Sequence, residues 1–210
     1  MNMSKKKIVI TDDDYDDLCE KQEKPLGLFY YDNVIDEKYE KSLIDFLDED
    51  DGKKWKALSD SKNSRKIQHY GYLYNYKTGN TKEKGEPIPD EFQSLIKEIS
   101  TITRTSGFKK FNQVIVNNYE DGQGISAHTD VKEYGDVIGC YTIGSGATMV
   151  FSKGEEKYDL YVKPRSVYIM TGESRYKWKH EMPSRKTDMV GGVRIRRGRR
   201  ISITFRYVNE

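Results

Sequence analysis

The texture of the chain changes at residue 111, and that change limits the fold more than any other feature. From there on, short runs rich in β-branched and aromatic residues recur between clusters of Gly, Asp and Lys: residues 111–119 (FNQVIVNNY), 137–143 (VIGCYTI), 147–152 (ATMVFS), 157–162 (KYDLYV), 166–170 (SVYIM) and 201–207 (ISITFRY). Branched and aromatic side chains suit a pleated surface, and short strands at this spacing imply an antiparallel sandwich or jelly roll. The N-terminal half reads differently. After a strand-like run at 27–35 (GLFYYDNVI), Tyr39, Leu43, Phe46 and Leu47 fall on one face of a helix at 36–48, with Asp36 placed to cap it. Phe92, Leu95, Ile96 and Ile99 make the same kind of stripe on a second helix at 90–102. The expected class is mainly β with flanking helices (α+β).

At 210 residues the chain fits one domain by the rough prior of ~150 residues each, and no repeat or Pro-rich linker divides it. Residues 25–210 are expected to form that domain. Residues 1–24 carry five lysines and seven acids with little to bury, which predicts a disordered charged tail. No apolar run approaches the ~18 residues that span a bilayer, so no membrane partner is expected. Asp12, Asp13 and Asp14 interrupt the basic start before a signal sequence can form. Cys19 and Cys140 are the only cysteines and give no disulfide framework, so the expected compartment is a reducing one, cytoplasmic or nuclear. The net charge is only +2, yet Arg194, Arg196, Arg197, Arg199 and Arg200 fall within seven residues, a density that suggests a polyanionic partner.

Histidine is scarce, three residues in all, and two of them stand as His128-Thr129-Asp130 and His180. Residues i and i+2 of a strand point to one face, so His128 and Asp130 can converge on an ion that His180 would complete. Two histidines and one carboxylate fill one side of a coordination sphere and leave the rest open, as in non-haem iron(II) oxygenases. Alone, the spacing also suits a zinc or phosphatase site, and His180 a structural role.

The last strand narrows the choice. Arg200, Ser202, Thr204 and Arg206 share one face of it, while Ile201, Ile203, Phe205 and Tyr207 share the other. Either the polar face meets water, or it lines the inside of a barrel, where buried guanidiniums need carboxylate partners. A dicarboxylate cosubstrate would supply both, and arginine's planar, permanently charged fork suits it. Asn117 and Tyr119 share a face on the strand before the triad and could bond to the same anion.

The segment from Asn117 to Arg206 resembles the AlkB family of iron(II)/2-oxoglutarate dioxygenases. It has N-x-Y, a Gly-rich turn at 121–124, H-x-D, the later His180 and the paired arginines of R-x-S-x-T-F-R, in that order. Residues 170–182 (MTGESRYKWKHEM), with Arg185, Lys186 and Asp188 beyond them, are similar to the eukaryotic branch that hydroxylates a modified wobble uridine in tRNA. So is Gln68-His69-Tyr70-Gly71-Tyr72. The resemblance implies a double-stranded β-helix (jelly roll), Fe(II) on His128, Asp130 and His180, 2-oxoglutarate chelating the metal, and O2 as oxidant. It implies that Arg200 and Tyr119 meet the far carboxylate of 2-oxoglutarate, and Arg206 with Asn117 the near one. Ser202 stands where many repair members have Asn. Arg206 then serves the anion and leaves metal affinity largely untouched. Lys132 stands where repair members commonly place an acid, and would repel a cationic methylated base.

On the substrate side, residues 65–76 (RKIQHYGYLYNY) interleave basic and aromatic groups, suited to phosphate contact and base stacking. Arg65, His69, Tyr70, Tyr72, Tyr74 and Tyr76 are thus candidates for a nucleotide-recognition lid, although four alternating tyrosines also suit an apolar sheet face. Arg175 and Trp178 flank His180 and are expected at the target base, with core packing the alternative for Trp178. Arg194, Arg196, Arg197 and Arg199, with Arg185 and Lys186, are expected to make a phosphate-binding rim. The expected partner is nucleic acid, tRNA first, with a protein partner in place of the RNA-binding and methyltransferase domains of multidomain relatives. Oxidative demethylation of alkylated DNA or RNA bases and a catalytically inactive RNA-binding module are the alternatives.

Overall fold

Asp36 begins the helical part as its spacing requires. Its carboxylate accepts from the Tyr39 backbone N–H at 2.7 Å, capping helix α1 (Glu37–Leu47). A 3-10 turn at Asp90–Phe92 leads into helix α2 (Gln93–Thr103), whose Leu95 and Ile99 are fully buried. These elements come from a computed structural model that describes residues 23–209 except 50, 51, 62, 63, 77, 82 and 104–109. All but the last two residues of the expected charged tail lie outside that range, as does Cys19. No helix among the described residues is long and apolar enough to cross a membrane.

The strands are β1 (Leu28–Tyr31), β2 (Lys56–Ala57), β3 (Lys66–Gly71), β4 (Gln113–Tyr119), β5 (Ile125–His128), β6 (Ile138–Gly144), β7 (Ala147–Lys153), β8 (Glu156–Val162), β9 (Ser166–Met170), β10 (Lys179–Met182), β11 (Thr187–Val190), β12 (Val193–Arg196) and β13 (Arg200–Arg206), with a short helix α3 (Gly172–Tyr176) before β10. Seven of them form one sheet in the order β1-β9-β6-β13-β4-β3-β2, and four form a second in the order β5-β10-β7-β8. Among the described residues β11 and β12 pair only with each other. The mainly β class and the jelly-roll arrangement follow.

Most runs after residue 111 became strands because both faces of their period-two pattern have a dry destination, while β8, at the edge of the small sheet, keeps one face exposed. On β13, Ile201, Ile203 and Phe205 enter the core that α1 and α2 cover, with Val114, Val116, Tyr141, Ile143, Val167 and Ile169 from the neighbouring strands. The opposite face looks into the space between the sheets. There Ile138, Cys140, Tyr168 and Met170 of the large sheet meet Met149, Phe151 and Met182 of the small one. All seven residues of β13 are buried, so its polar face is interior and not solvated.

The arginine-rich stretch departs in part from the phosphate-binding rim expected of it. Residues 193–196 make β12, and the arginines after it turn inward. Arg197 is 5% exposed and grips the fully buried Asp188, donating from Nη2 to Oδ1 at 2.8 Å and from Nε to Oδ2, while its Nη1 bonds the Pro183 carbonyl at 2.7 Å. Arg199 clamps both oxygens of Asp48 at 2.6 and 2.8 Å. A polyanion cannot reach Arg197. Truncating one partner of a buried pair strands the other charge, at a cost of about 3–5 kcal/mol. Asp188→Ala is therefore expected to lower the thermal midpoint sharply, whereas Asp45→Ala, at an exposed pair with Lys41, should change it little. Calorimetry of both variants checks this; a small effect for Asp188→Ala would refute the pair's role in stability.

Candidate metal and cosubstrate site

β5 and β10 run antiparallel with His128 directly opposite His180, and the ring centroids lie 4.3 Å apart. The His128 Nδ1 is 2.8 Å from the Ser126 carbonyl, placed to accept a hydrogen bond from the Nδ1–H tautomer, which leaves Nε2 free as a ligand atom. Asp130 reaches the same point by a different route from the one its spacing suggests. β5 ends at His128, so Asp130 sits in the following loop and strand alternation does not aim it. The loop is shaped by Arg175, whose guanidinium donates to the carbonyls of Asp130 (3.0 Å), Val131 (2.6 Å), Tyr134 (3.2 Å) and Gly135 (3.3 Å). Arg175 is 1% exposed, so it is a positioning residue and not a contact for the target base.

One nitrogen from each histidine and one Asp130 oxygen all lie within 4.8 Å of one another. Arg206 decides which oxygen is free: its Nε and Nη2 donate to Oδ1 at 2.9 and 2.8 Å. Oδ2 is buried, without a hydrogen-bond partner, and 3.6 Å from His180 Nε2. Burial works to raise the Asp130 pKa, but Arg206, then His180, His128 and Arg175, hold it at about 2. Burial drives His180 down to about 4 despite the pull of Asp130. At neutral pH the carboxylate is ionised and the imidazole neutral, the states that bind a metal. An orphaned buried carboxylate oxygen beside two imidazoles fits a divalent ion with its remaining positions open.

Beside this cluster lies a pocket lined by Asn117, Tyr119, Arg200, Ser202, Thr204 and Arg206. Arg200 is 4% exposed, donates to Thr142 Oγ1 at 2.9 Å, lies 5.5 Å from the Tyr119 ring centroid, and has no carboxylate partner among the described residues. Its Nε and the Nη1 of Arg206 are buried donors with no hydrogen-bond partner among the described residues. A buried guanidinium without an anion is costly, so the pocket is built for one. Sequence reasoning missed Thr142, Cys140, Tyr168 and Met170, which line the same pocket or bond its arginine. Their alternation on β6 and β9 was visible, but only the register with β13 puts them on the inner face.

A second cavity of about 380 Å³ opens on the other side of Asp130, lined by Arg65, Tyr74, Tyr76, Ile115, Val131 and Tyr134 among others. The four lid tyrosines do not share a face. Gly71 takes φ +72° where a Cβ would lie 2.0 Å from the Asn112 carbonyl oxygen, and this breaks the strand. Tyr70, before the break, packs edge-on to Phe92 in the helical core, and Tyr72 is buried beside Tyr134 and Val208. Only Tyr74 and Tyr76 reach the cavity. His69 stacks on Tyr76 at 5.8 Å, and burial, then Arg206 and Lys56, bring its pKa to about 4. Arg65 donates to the Asn117 side chain at 2.8 Å, so it stands on the wall between the two spaces. Lys132 is exposed and lines neither cavity. Trp178 is 3% exposed and packs in the core between the sheets, with Lys153 5.1 Å from its ring centroid; it does not border the cavity.

Comparison with known proteins decides the family. The 2OG-Fe(II) oxygenase superfamily matches residues 48–206. The chain belongs to that superfamily. It is an Fe(II)- and 2-oxoglutarate-dependent dioxygenase that uses O2, and it is homologous to the AlkB family. It is 41% identical over 128 residues to the uncharacterized protein L905 of Acanthamoeba polyphaga mimivirus, covering 58% of this chain and 61% of that one. It is 31% identical over 215 residues to the tRNA (carboxymethyluridine(34)-5-O)-methyltransferase ALKBH8 of Macaca fascicularis, covering 90% of this chain but 31% of that protein. The chain thus spans only part of the length of the relatives it matches. The solved structure of OsALKBH1 superposes with a TM-score of 0.69 at 14% identity, covering 88% of this chain and 97% of that one, which shows a shared fold.

The clamp on Asp130 argues against the expectation that Arg206 leaves metal affinity largely untouched. Outer-shell partners of metal ligands typically contribute about 10–100-fold in affinity. Arg206→Ala is expected to weaken both Mn(II) and 2-oxoglutarate binding, and Arg200→Ala 2-oxoglutarate alone. Anaerobic titration distinguishes them; wild-type Mn(II) affinity in Arg206→Ala would count against the clamp.

Proposed function

We propose that the chain hydroxylates a modified wobble uridine in tRNA, with His128, Asp130 and His180 holding the iron. Arg200 and Tyr119 take the far carboxylate of 2-oxoglutarate, with Ser202 between the arginines. Arg206 and Asn117 take the near carboxylate. Bound iron, with 2-oxoglutarate and O2, supplies oxidation of a substrate C–H bond as the cosubstrate leaves as succinate and carbon dioxide. The chain's own residues do the rest: Arg175 and Arg206 orient Asp130, and the buried inner face of β13 keeps water from the cosubstrate.

The observation that carries the substrate is the charge on the second cavity. Arg65 and Arg206 bring positive charge to its wall, and Asp130, already engaged by Arg206, is the one carboxylate among its described lining residues. A cationic methylated base would find no free counter-charge there, whereas a uridine bearing an acidic substituent would meet Arg65. The exposed Lys132 has no part in this; the discriminating cation is Arg65. Tyr74, Tyr76 and Tyr134 offer ring faces for a base, and the name of the ALKBH8 relative places that protein on carboxymethyluridine at position 34 of tRNA.

With Fe(II), ascorbate, 2-oxoglutarate and tRNA carrying carboxymethylated wobble uridine, mass spectrometry is expected to find a nucleoside heavier by one oxygen, and Arg65→Ala should raise KM for that tRNA by about tenfold with kcat little changed. Formaldehyde release from methylated oligonucleotides, with the uridine left intact, would instead make the chain a demethylase.

A further inference from the structure

Folding divides the arginine-rich stretch into two populations. Arg197, Arg199 and Arg200 point inward, whereas Arg194 and Arg196 stay in solvent on the β11–β12 ribbon. Register sets their placement. Thr187 faces Arg196 and Met189 faces Arg194, so these four share one face of the ribbon, while Asp188 and Ile195 share the other. The inward face is fixed to the body by the buried Asp188–Arg197 pair and by the Arg197 N–H bonded to the Lys186 carbonyl at 2.9 Å. The outward face is unpartnered. Met189 is 60% exposed, and Arg194 is exposed with no ion pair among the described residues. Arg196, its side chain 80% exposed, has only a 3.3 Å contact with Asp121, the kind of surface pair that a stronger anion displaces readily.

The ribbon also stands in a telling place. It follows directly from β10, the strand that carries His180, and Asp121 ties it to the turn that leads into β5 and His128. That turn is pressed close to the end of β10: a Cβ on Gly124 would lie 2.2 Å from the Met182 carbonyl oxygen. Ile125, the next residue, borders both the cosubstrate pocket and the substrate cavity. The ribbon is therefore tied to the segment that leads into β5 and the cavity lining.

We propose, building on the nucleic-acid substrate inferred above, that the outward face of the β11–β12 ribbon binds the RNA strand next to the target nucleotide. Arg194 and Arg196 contact successive phosphates, and Met189 packs on the intervening sugar. Residues i and i+2 of a strand are about 6.6 Å apart, a separation comparable to that of neighbouring phosphates on a nucleic-acid strand. Exposed guanidiniums beside an exposed thioether, with the nearby acid Asp188 buried and paired to Arg197, complement a polyanion with an apolar sugar edge and not an acidic or apolar protein surface alone.

The test compares the full chain with Arg194→Ala/Arg196→Ala, first matched by thermal midpoint, using the same tRNA as probe. Each phosphate contact to a single strand contributes about 0.7 to the slope of log affinity against log salt. The double variant is expected to lose about 1.4 of that slope, to bind roughly tenfold more weakly, and to show a raised KM with kcat unchanged. An unchanged slope and KM in the variant, with the wild type still binding and oxidising tRNA, overturns the ribbon's role and leaves the proposed function standing. A wild type that neither binds nor oxidises tRNA overturns both. Met189→Ala supplies a charge-independent check: weaker binding with an unaltered salt slope supports the sugar contact, and wild-type affinity removes Met189 from the surface.

Discussion

The structure turns on a buried ion pair between residues that lie 76 positions apart in the chain, Asp130 and Arg206. A carboxylate in a dry interior would ordinarily take up a proton, and a protonated Asp130 is a poor ligand. Arg206 prevents this by donating two hydrogen bonds to one oxygen, which both keeps the group ionised and presents the other oxygen to the two imidazoles. The guanidinium can do so because β13 is central in the large sheet, paired with β4 on one side and β6 on the other, so it has little freedom to shift. Arg175 holds the same loop from its backbone side. One arginine thus sets the charge of the ligand and another sets its position.

Interior arginines shape the rest of the molecule as well. Asp48 and Asp188 hold Arg199 and Arg197 where the chain passes from the β11–β12 ribbon into β13, fixing the entry of the strand that carries the site. Arg200 differs from these in having no carboxylate, and that difference separates a binding group from a structural one. Two buried guanidiniums facing one engaged carboxylate leave an excess of positive charge between the sheets, which a dianion would offset.

The aromatic side shows the same sorting by geometry. Tyrosines that alternate in the sequence end up in three environments because Gly71 interrupts the strand that would have aligned them. Tyr70 stabilises the helical core, Tyr72 a small satellite cluster, and only Tyr74 and Tyr76 stand at the cavity beside Tyr134. A glycine's left-handed backbone therefore determines how much of the lid is available for recognition.

Much was legible from the sequence alone, because strand alternation and helical stripes are local and need no knowledge of the fold. They located both helices, six of the ten described strands after residue 111, and the shared face of Arg200, Ser202, Thr204 and Arg206. The spacing of the histidines pointed to a metal, and the ordered motifs to a family. Tertiary structure decided what alternation cannot. Alternation says which residues share a face, but whether that face is wet depends on a second sheet packing over it. Only the pairing of β5 with β10 sets His128 opposite His180, and only Arg175 brings Asp130 round to join them from outside the strand. Inward and outward arginines look alike in a linear chain; they differ by which carboxylates folding brings within reach, a long-range property that no local pattern records.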